Sequence, residues 1–141
     1  MGGEGTASTK RFVIDAMNVI GSRPTGWWRD RDGAARRLVE RLQRYVAASG
    51  DEVTVVIDGR PVRGLPEGEQ AGVRVFYARR SGRNAADDRI VEVVADDARP
   101  ESLHVVTSDR ELGVRVRALG ASTSGATSFL RLLDRLDSEE A

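Results

Sequence analysis

Three short apolar runs in this chain each stop at an aspartate: Phe12-Val13-Ile14-Asp15, Val53-Thr54-Val55-Val56-Ile57-Asp58, and Leu103-His104-Val105-Val106-Thr107-Ser108-Asp109. Aliphatic and β-branched runs with little polar alternation read as strands buried on both faces, the condition met in parallel sheets. Open parallel sheets carry their sites at the carboxyl ends of strands. A chain with three such strands is therefore restricted to an α/β fold that gathers carboxylates along one rim.

The rest of the sequence supplies the connections. The first strand is expected over residues 10–15, and a loop over 21–26 leads to Trp27-Trp28. Asp30 or Asp32 is placed to cap a helix beginning near Gly33, in which Ala34, Leu38, Leu42, Tyr45 and Val46 recur at helical spacing. A second strand ends at Asp58. A glycine- and proline-rich loop over 60–72 then crosses to a third strand, residues 73–77.

A second helix is expected from Asn84, with Ile90, Val91 and Val94 on one face. After the fourth strand, Ser108 and Glu111 have capping-box spacing for a third helix. A short fifth strand near 121–123 and a final helix over about 127–136 complete the pattern. Alternating strands and helices imply an α/β class domain, a three-layer α/β/α sandwich around a mainly parallel five-stranded sheet. Strand order 3-2-1-4-5 would set Asp15 and Asp109 across one crevice, with Asp58 beside them. Residues 1–9 read as a disordered leader, 10–136 as the domain and 137–141 as an acidic, frayed tail.

Composition excludes more than it assigns. Acidic and basic residues balance at 22 each, so no overall field drives the chain onto nucleic acid or membrane. There is no cysteine, which removes disulfides, thiolate zinc sites and cysteine nucleophiles. The one histidine, His104, falls inside a strand, as a packed side chain and not a base. No apolar stretch approaches membrane length and no signal-peptide core is present, so a cytoplasmic protein with no membrane partner is expected. All basic residues except Lys10 are arginine. Arginine suits phosphate, although a GC-rich genome also explains the count.

Converging aspartates repel one another, and burial sharpens the repulsion. A fold that collects them needs a cation, and all-oxygen ligands favour Mg2+ or Mn2+ over zinc. Such sites act on phosphate esters. Any single aspartate here is explained equally well as a turn or cap residue, but three after apolar strands, with Asp87 on a helix face, are not. Helical geometry turns Asp87 inward, towards the side of Ile90 and Val94, and Asp88 aside. Asn18 fits either as a hydrogen bonder orienting Asp15 or a water, or as a turn residue. Thr107 and Ser108 could hold a water.

The blocks Val13-Ile14-Asp15-Ala16-Met17-Asn18-Val19-Ile20, Ile57-Asp58, Ala86-Asp87-Asp88-Arg89-Ile90 and Val105-Val106-Thr107-Ser108-Asp109-Arg110-Glu111-Leu112 resemble, in order, those of the YacP-like NYN domains of the PIN-like nuclease superfamily. The resemblance spans residues 10–136. It implies a metal-dependent ribonuclease, with Asp15, Asn18, Asp58, Asp87 and Asp109 as catalytic positions. It also implies Asp15, Asp58, Asp87, Asp88 and Asp109 as ligands of Mg2+ or Mn2+. Ala16 departs from the family, which often has glycine there.

Two features suit RNA. Arg60, Arg63, Arg74, Arg79, Arg80 and Arg83 outnumber Glu67 and Glu69 in one stretch, a local positive excess for phosphates. Trp27 and Trp28 could stack on unpaired bases, or close as a hydrophobic lid over the first helix, the simpler reading. A partner such as a ribosome or an RNA-processing complex is left open, as is oligomeric state. The competing function is an inactive RNA-binding or adaptor domain that retains a metal site.

Overall fold

The computed structural model describes residues 9–78 and 85–140. The leader expected over residues 1–9 lies almost wholly outside the described residues. In chain order the elements are β1 (Arg11–Asp15), α1 (Ala16–Gly21), a 3-10 turn (Trp27–Arg29), α2 (Arg31–Ser49), β2 (Glu52–Ile57), β3 (Gly68–Gln70) and β4 (Val73–Tyr77). Then follow α3 (Ala85–Asp96), a 3-10 turn (Pro100–Ser102), β5 (Leu103–Val106), α4 (Arg110–Arg117), β6 (Ser122–Ser124) and α5 (Ala126–Glu140).

The strands form one sheet in the order β3-β4-β2-β1-β5-β6, parallel throughout except for β3 against β4. The five parallel strands stand in the expected 3-2-1-4-5 order. The sixth, β3, corrects the five-stranded count. It is three residues long and lies inside the crossover loop, with Gly68 at φ +112° and the turn into β4 made by Ala71 (φ +49°) and Gly72 (φ +94°). Three polar and glycine residues carry no alternation by which a strand could be read.

Strand alternation divides the core in two. Phe12, Ile14, Val55, Ile57, Val73 and Val75 point to the larger cluster, packed against Leu38, Leu42 and Tyr45 of α2 and Phe129 and Leu133 of α5. Val13, Val56 and Val105 point to the other face, against Ile90 and Val94 of α3 and Leu112 and Val116 of α4. The two layers make the three-layer sandwich. His104 sits on the larger face with its ring 5.7 Å from Phe12, a packed position as expected.

Three local expectations are corrected. Residues 16–21 are helical: a single turn and a half gave too short a pattern to read, yet Ala16 and Val19 are both buried. The box expected between Ser108 and Glu111 does not cap α4. Asp109 is the N-cap, accepting from the Leu112 amide at 3.1 Å, while Ser108 Oγ accepts from the Ala126 amide at the start of α5. The acidic tail is not frayed at its start. Helix α5 runs to Glu140, and Asp137 accepts from Arg41 Nε at 2.9 Å.

Candidate active site

Register decides which residues meet at the rim. Ile14 pairs with Val106 in the parallel β1–β5 ladder, so the next residues on each strand, Asp15 and Thr107, stand side by side. Val13, Val56 and Val105 all face α3 and α4. Two residues further on, Asp15, Asp58 and Thr107 continue towards that same face, the one on which α3 carries Asp87. The chain leaves β1 towards β2 on one side and reaches β5 on the other, so this rim is the sheet's switch point.

Asp15 is 6% exposed and accepts a 2.9 Å hydrogen bond from Thr107 Oγ1. Burial raises its carboxyl from the ordinary 3.8 to about 6; the Thr107 bond opposes the rise, and the charges of Asp87 and Asp109 add to it. The Asn18 backbone also favours the charged form. Thr107 is itself buried, and its Oγ1 accepts from the Asp109 amide at 3.1 Å. One hydroxyl thus links the acid at the end of β1 to the backbone carrying Asp109.

Asn18 acts across the same gap. Its Oδ1 accepts from the Ser108 amide at 2.8 Å, joining α1 to the loop after β5. The side chain therefore positions the 107–109 backbone, and its contact is with that loop and not with the Asp15 carboxylate. Ser108 spends its hydroxyl on the start of α5.

Asp58 follows β2, half-buried. Its loop is held by a residue the sequence did not single out. Arg31, in the first turn of α2, donates to the backbone carbonyls of Asp58 and, at 3.3 Å, of Arg60. Gly59 makes this approach feasible. It adopts φ +90°, and a Cβ there would lie 2.7 Å from Arg31 Nη2. An arginine one residue after an N-cap carries no sequence signal of such a task.

On α3, Asp87 and Asp88 diverge. Asp87 is half-buried, and its carboxyl is pushed up by burial first and the Asp109 charge second, with Asp88 and Asp58 adding and Arg115 opposing. Asp88 instead accepts from Arg115 Nη2 of α4 at 3.0 Å. The coupling of Asp87 to Asp109 and Asp58, and of Asp15 to Asp87 and Asp109, ties all four acids into one electrostatic group. Among the described residues no three acidic or histidine side chains stand close enough to enclose a metal as arranged. The donor set is nevertheless all oxygen, and its crowded charge is of the kind a divalent cation relieves.

Of the remaining expected site residues, Trp27, Trp28 and Arg60 fall among the described residues. Trp27 is partly buried with its ring edge near Gly21, while Trp28 is 61% exposed, edge-on to Trp27 at 6.3 Å and with Arg29 5.9 Å from its ring. Trp27 is thus packed against the end of α1, not shown over the helix that follows it, and Trp28 is open to solvent. Both sit just before Arg31, whose contacts with Asp58 and Arg60 fix this segment at the acidic end of the sheet. Arg60 is exposed. Arg79, Arg80 and Arg83 lie outside the described residues.

An open, mainly parallel α/β sheet with acids at the ends of three strands and on one helix, on the side of its switch point, has the architecture of the PIN-like nuclease superfamily. The chain belongs to the YacP-like NYN domain family, whose profile it matches over residues 12–141, and this assigns it a nuclease kind of activity. It is 27% identical over 134 residues to the uncharacterized protein YacP of Bacillus subtilis (strain 168), spanning 89% of this chain and 76% of that protein. The crystal structure of Rae1 (YacP) from Bacillus subtilis has the same fold, with a TM-score of 0.75 at 24% identity, covering 93% of this chain and 77% of that one. A tryptophan-to-leucine variant of Rae1 gives 0.74 at 21%, covering 93% and 79%. No helix among the described residues is long and apolar enough to cross a membrane.

Proposed function

We propose that the protein is a ribonuclease that hydrolyses RNA phosphodiester bonds internally, with Mg2+ or Mn2+ held by Asp15, Asp58, Asp87 and Asp109. The observation that carries this reading is the buried Asp15, raised to about 6 by burial and by Asp87 and Asp109 at the switch point of the sheet. Such crowding costs stability at Asp15 and favours a site built for a cation. When bound, the cation supplies positive charge to the scissile phosphate and lowers the pKa of an attacking water.

The chain's own residues supply position. Thr107 holds the Asp15 carboxylate and Asn18 the Ser108 backbone across the gap between β1 and β5, and Arg31 fixes the Asp58 loop. Hydrolysis forms one P–O bond to the water oxygen and breaks one ester P–O bond, whose oxygen leaves with a proton. Asp88, already paired with Arg115, tunes the Asp87 environment and is auxiliary. Trp28, Arg60 and the arginines at 79, 80 and 83 supply contacts to unpaired bases and phosphates.

The decisive experiment is incubation of the purified protein with single-stranded and structured RNAs, with Mn2+ and with EDTA, beside Asp15→Asn. Internal cleavage that requires Mn2+ and the intact Asp15 is expected. A second reading, an adaptor that binds RNA without cutting it, is favoured by two observations. Asp109 spends one oxygen on the α4 cap, and no metal-enclosing triplet is formed among the described residues. Binding without cleavage under all metal conditions would select it.

A further inference from the structure

The loop after Asp58 folds back on the sheet and lines an open hollow of about 530 Å³, within the ~300–1,000 Å³ range of small-molecule sites. It lies between the two elements that bring acids to the rim. One wall is the 61–67 loop that starts from Asp58; the other includes Arg89, two residues after Asp87 on α3. The Ala78 amide donates to the Ile57 carbonyl at 3.1 Å, which sets the cavity floor beside the end of β2. The hollow thus takes its walls from the same loop and helix that carry Asp58 and Asp87.

The cavity is preformed. Tyr77 Oη accepts from the Val62 amide at 3.0 Å and donates to the Leu65 carbonyl at 2.6 Å, and both bonds are buried. Val62 and Leu65 are buried beneath the loop. The Tyr77 amide donates to Glu67 Oε2 at 2.9 Å, which aligns that carboxylate along the wall. Apolar faces come from Pro61, Leu65 and Pro66.

The polar equipment is a facing donor and acceptor. The Arg89 side chain is only 11% exposed; its guanidinium lies 4.7 Å from the Phe76 ring centroid, reaches Glu67 Oε2 at 3.7 Å and donates through Nη1 to Glu92 Oε1 at 3.3 Å. Its Nε is buried without a hydrogen-bond partner, a donor whose desolvation is uncompensated. Glu67, half exposed, retains acceptor capacity on Oε1. A ligand offering two adjacent N–H donors to a carboxylate and an acceptor to a guanidinium has the edge of guanine. Its N1–H and 2-amino group suit Glu67, and its O6 and N7 suit arginine. Adenine and the pyrimidines lack that donor pair.

We infer that this cavity is a base-recognition subsite for an unpaired guanine of the RNA, read by Glu67 and Arg89 beside the acidic rim. The inference rests on the ribonuclease reading for its polymer but concerns a separate set of residues. Glu67 and Arg89 determine which base is held and take no part in bond cleavage. Glu67→Gln keeps an oxygen for the Tyr77 amide, so the loop folds as before, but it replaces the acceptor that the two guanine donors require.

The test has two arms. In the first, GMP and AMP are titrated into the 15N-labelled protein in EDTA, and the Arg89 Nε–H and the Val62, Leu65 and Ala78 amides are followed. GMP is expected to shift these resonances and AMP to leave them, and Glu67→Gln to abolish the difference. In the second, binding of octauridylate is compared with the same octamer carrying one guanosine, or one inosine, at each position in turn. A guanosine at one register should tighten binding about 10-fold. Inosine, which lacks the 2-amino group, should fall between, and Glu67→Gln should lose the preference with octauridylate affinity unchanged. Equal shifts with GMP and AMP, or octamers bound without base preference, would overturn the subsite. Base-specific GMP shifts with no RNA bound at all would leave the subsite standing and instead remove the ribonuclease reading.

Discussion

Replacing Asp15 by asparagine should make the metal-free protein more stable. The carboxyl is 6% exposed, and its titration moves from 3.8 to about 6 on folding. Between those values the folded protein holds a proton that the unfolded chain has lost, so stability falls as pH rises through that window. Below 3.8 both states are protonated and nothing is lost; above 6 the loss is complete. About two pK units correspond to about 3 kcal/mol, of which about 2 kcal/mol falls between pH 4.5 and 7.5. Asparagine keeps an oxygen to accept from Thr107 and does not titrate. Urea denaturation in EDTA at the two pH values, followed by far-UV circular dichroism, measures the difference. Asp15→Asn should gain about 2 kcal/mol on the wild type between pH 4.5 and 7.5. Saturation with Mn2+ should reverse the order, since a cation at 1,000 times its dissociation constant stabilises by about 4.1 kcal/mol, more than the cost of the buried charge. A variant that is equally pH-dependent, or less stable at pH 7.5 in EDTA, would show that Asp15 is not a buried charge in the folded protein.

Asp87→Asn should abolish Mn2+-dependent cleavage, while Asp88→Asn keeps most of it with a modest change in apparent metal affinity; activity titrations against Mn2+ would reveal the reverse if Asp88 were the ligand. Gly59→Ala should destabilise by about 1–2 kcal/mol and weaken turnover, because φ +90° is strained for alanine and its Cβ would meet Arg31 at 2.7 Å. Thermal melts and kcat of that variant, compared with Gly64→Ala in open space, separate the Arg31 contact from the φ cost. Asp134, bonded by Arg23 and Arg41, is held down at about 2. Its contribution is present above the ordinary carboxylate value and lost as pH falls through about 2. Arg41→Ala should flatten that part of an acid-denaturation curve, and an unchanged curve would discount the clamp.

The apolar runs ending in Asp15, Asp58 and Asp109 were legible because buried parallel strands leave an unbroken hydrophobic signal. The order of the parallel strands followed from the rule for switch points. What stayed hidden were tasks carried by side chain to backbone bonds. Asn18 to the Ser108 amide spans 90 residues of sequence, and Arg31 to the Asp58 carbonyl spans 27. Neither residue type nor spacing announces such a bond; it exists only once strand register has brought the loops together. The box expected at Ser108 failed for a related reason. Two adjacent residues, Ser108 and Asp109, both suit caps, and the sequence does not say that one of them serves a different helix.

The same register explains why the acids can remain crowded. The cost of about 3 kcal/mol at Asp15 is comparable to the gain from burying one or two large aliphatic side chains. Leu42, Leu112 and Leu133 are each fully buried, on both faces of the sheet. The ion pairs contribute less. Arg23 and Asp134 are 38% and 46% exposed, so that link is worth little on its own. Arg11 and Asp97, at 2.6 Å and about one-fifth exposed, form the tighter clamp, but at the opposite end of the sheet. Stability is therefore concentrated in the core and the far end, and the carboxyl ends of β1, β2 and β5 are free to hold like charges together. An arrangement selected only for folding would place alanine or asparagine at position 15 and gain by it. A carboxylate bonded to Thr107 and subject to the charges of Asp87 and Asp109 is instead the kind of local cost that folded chains carry at functional positions.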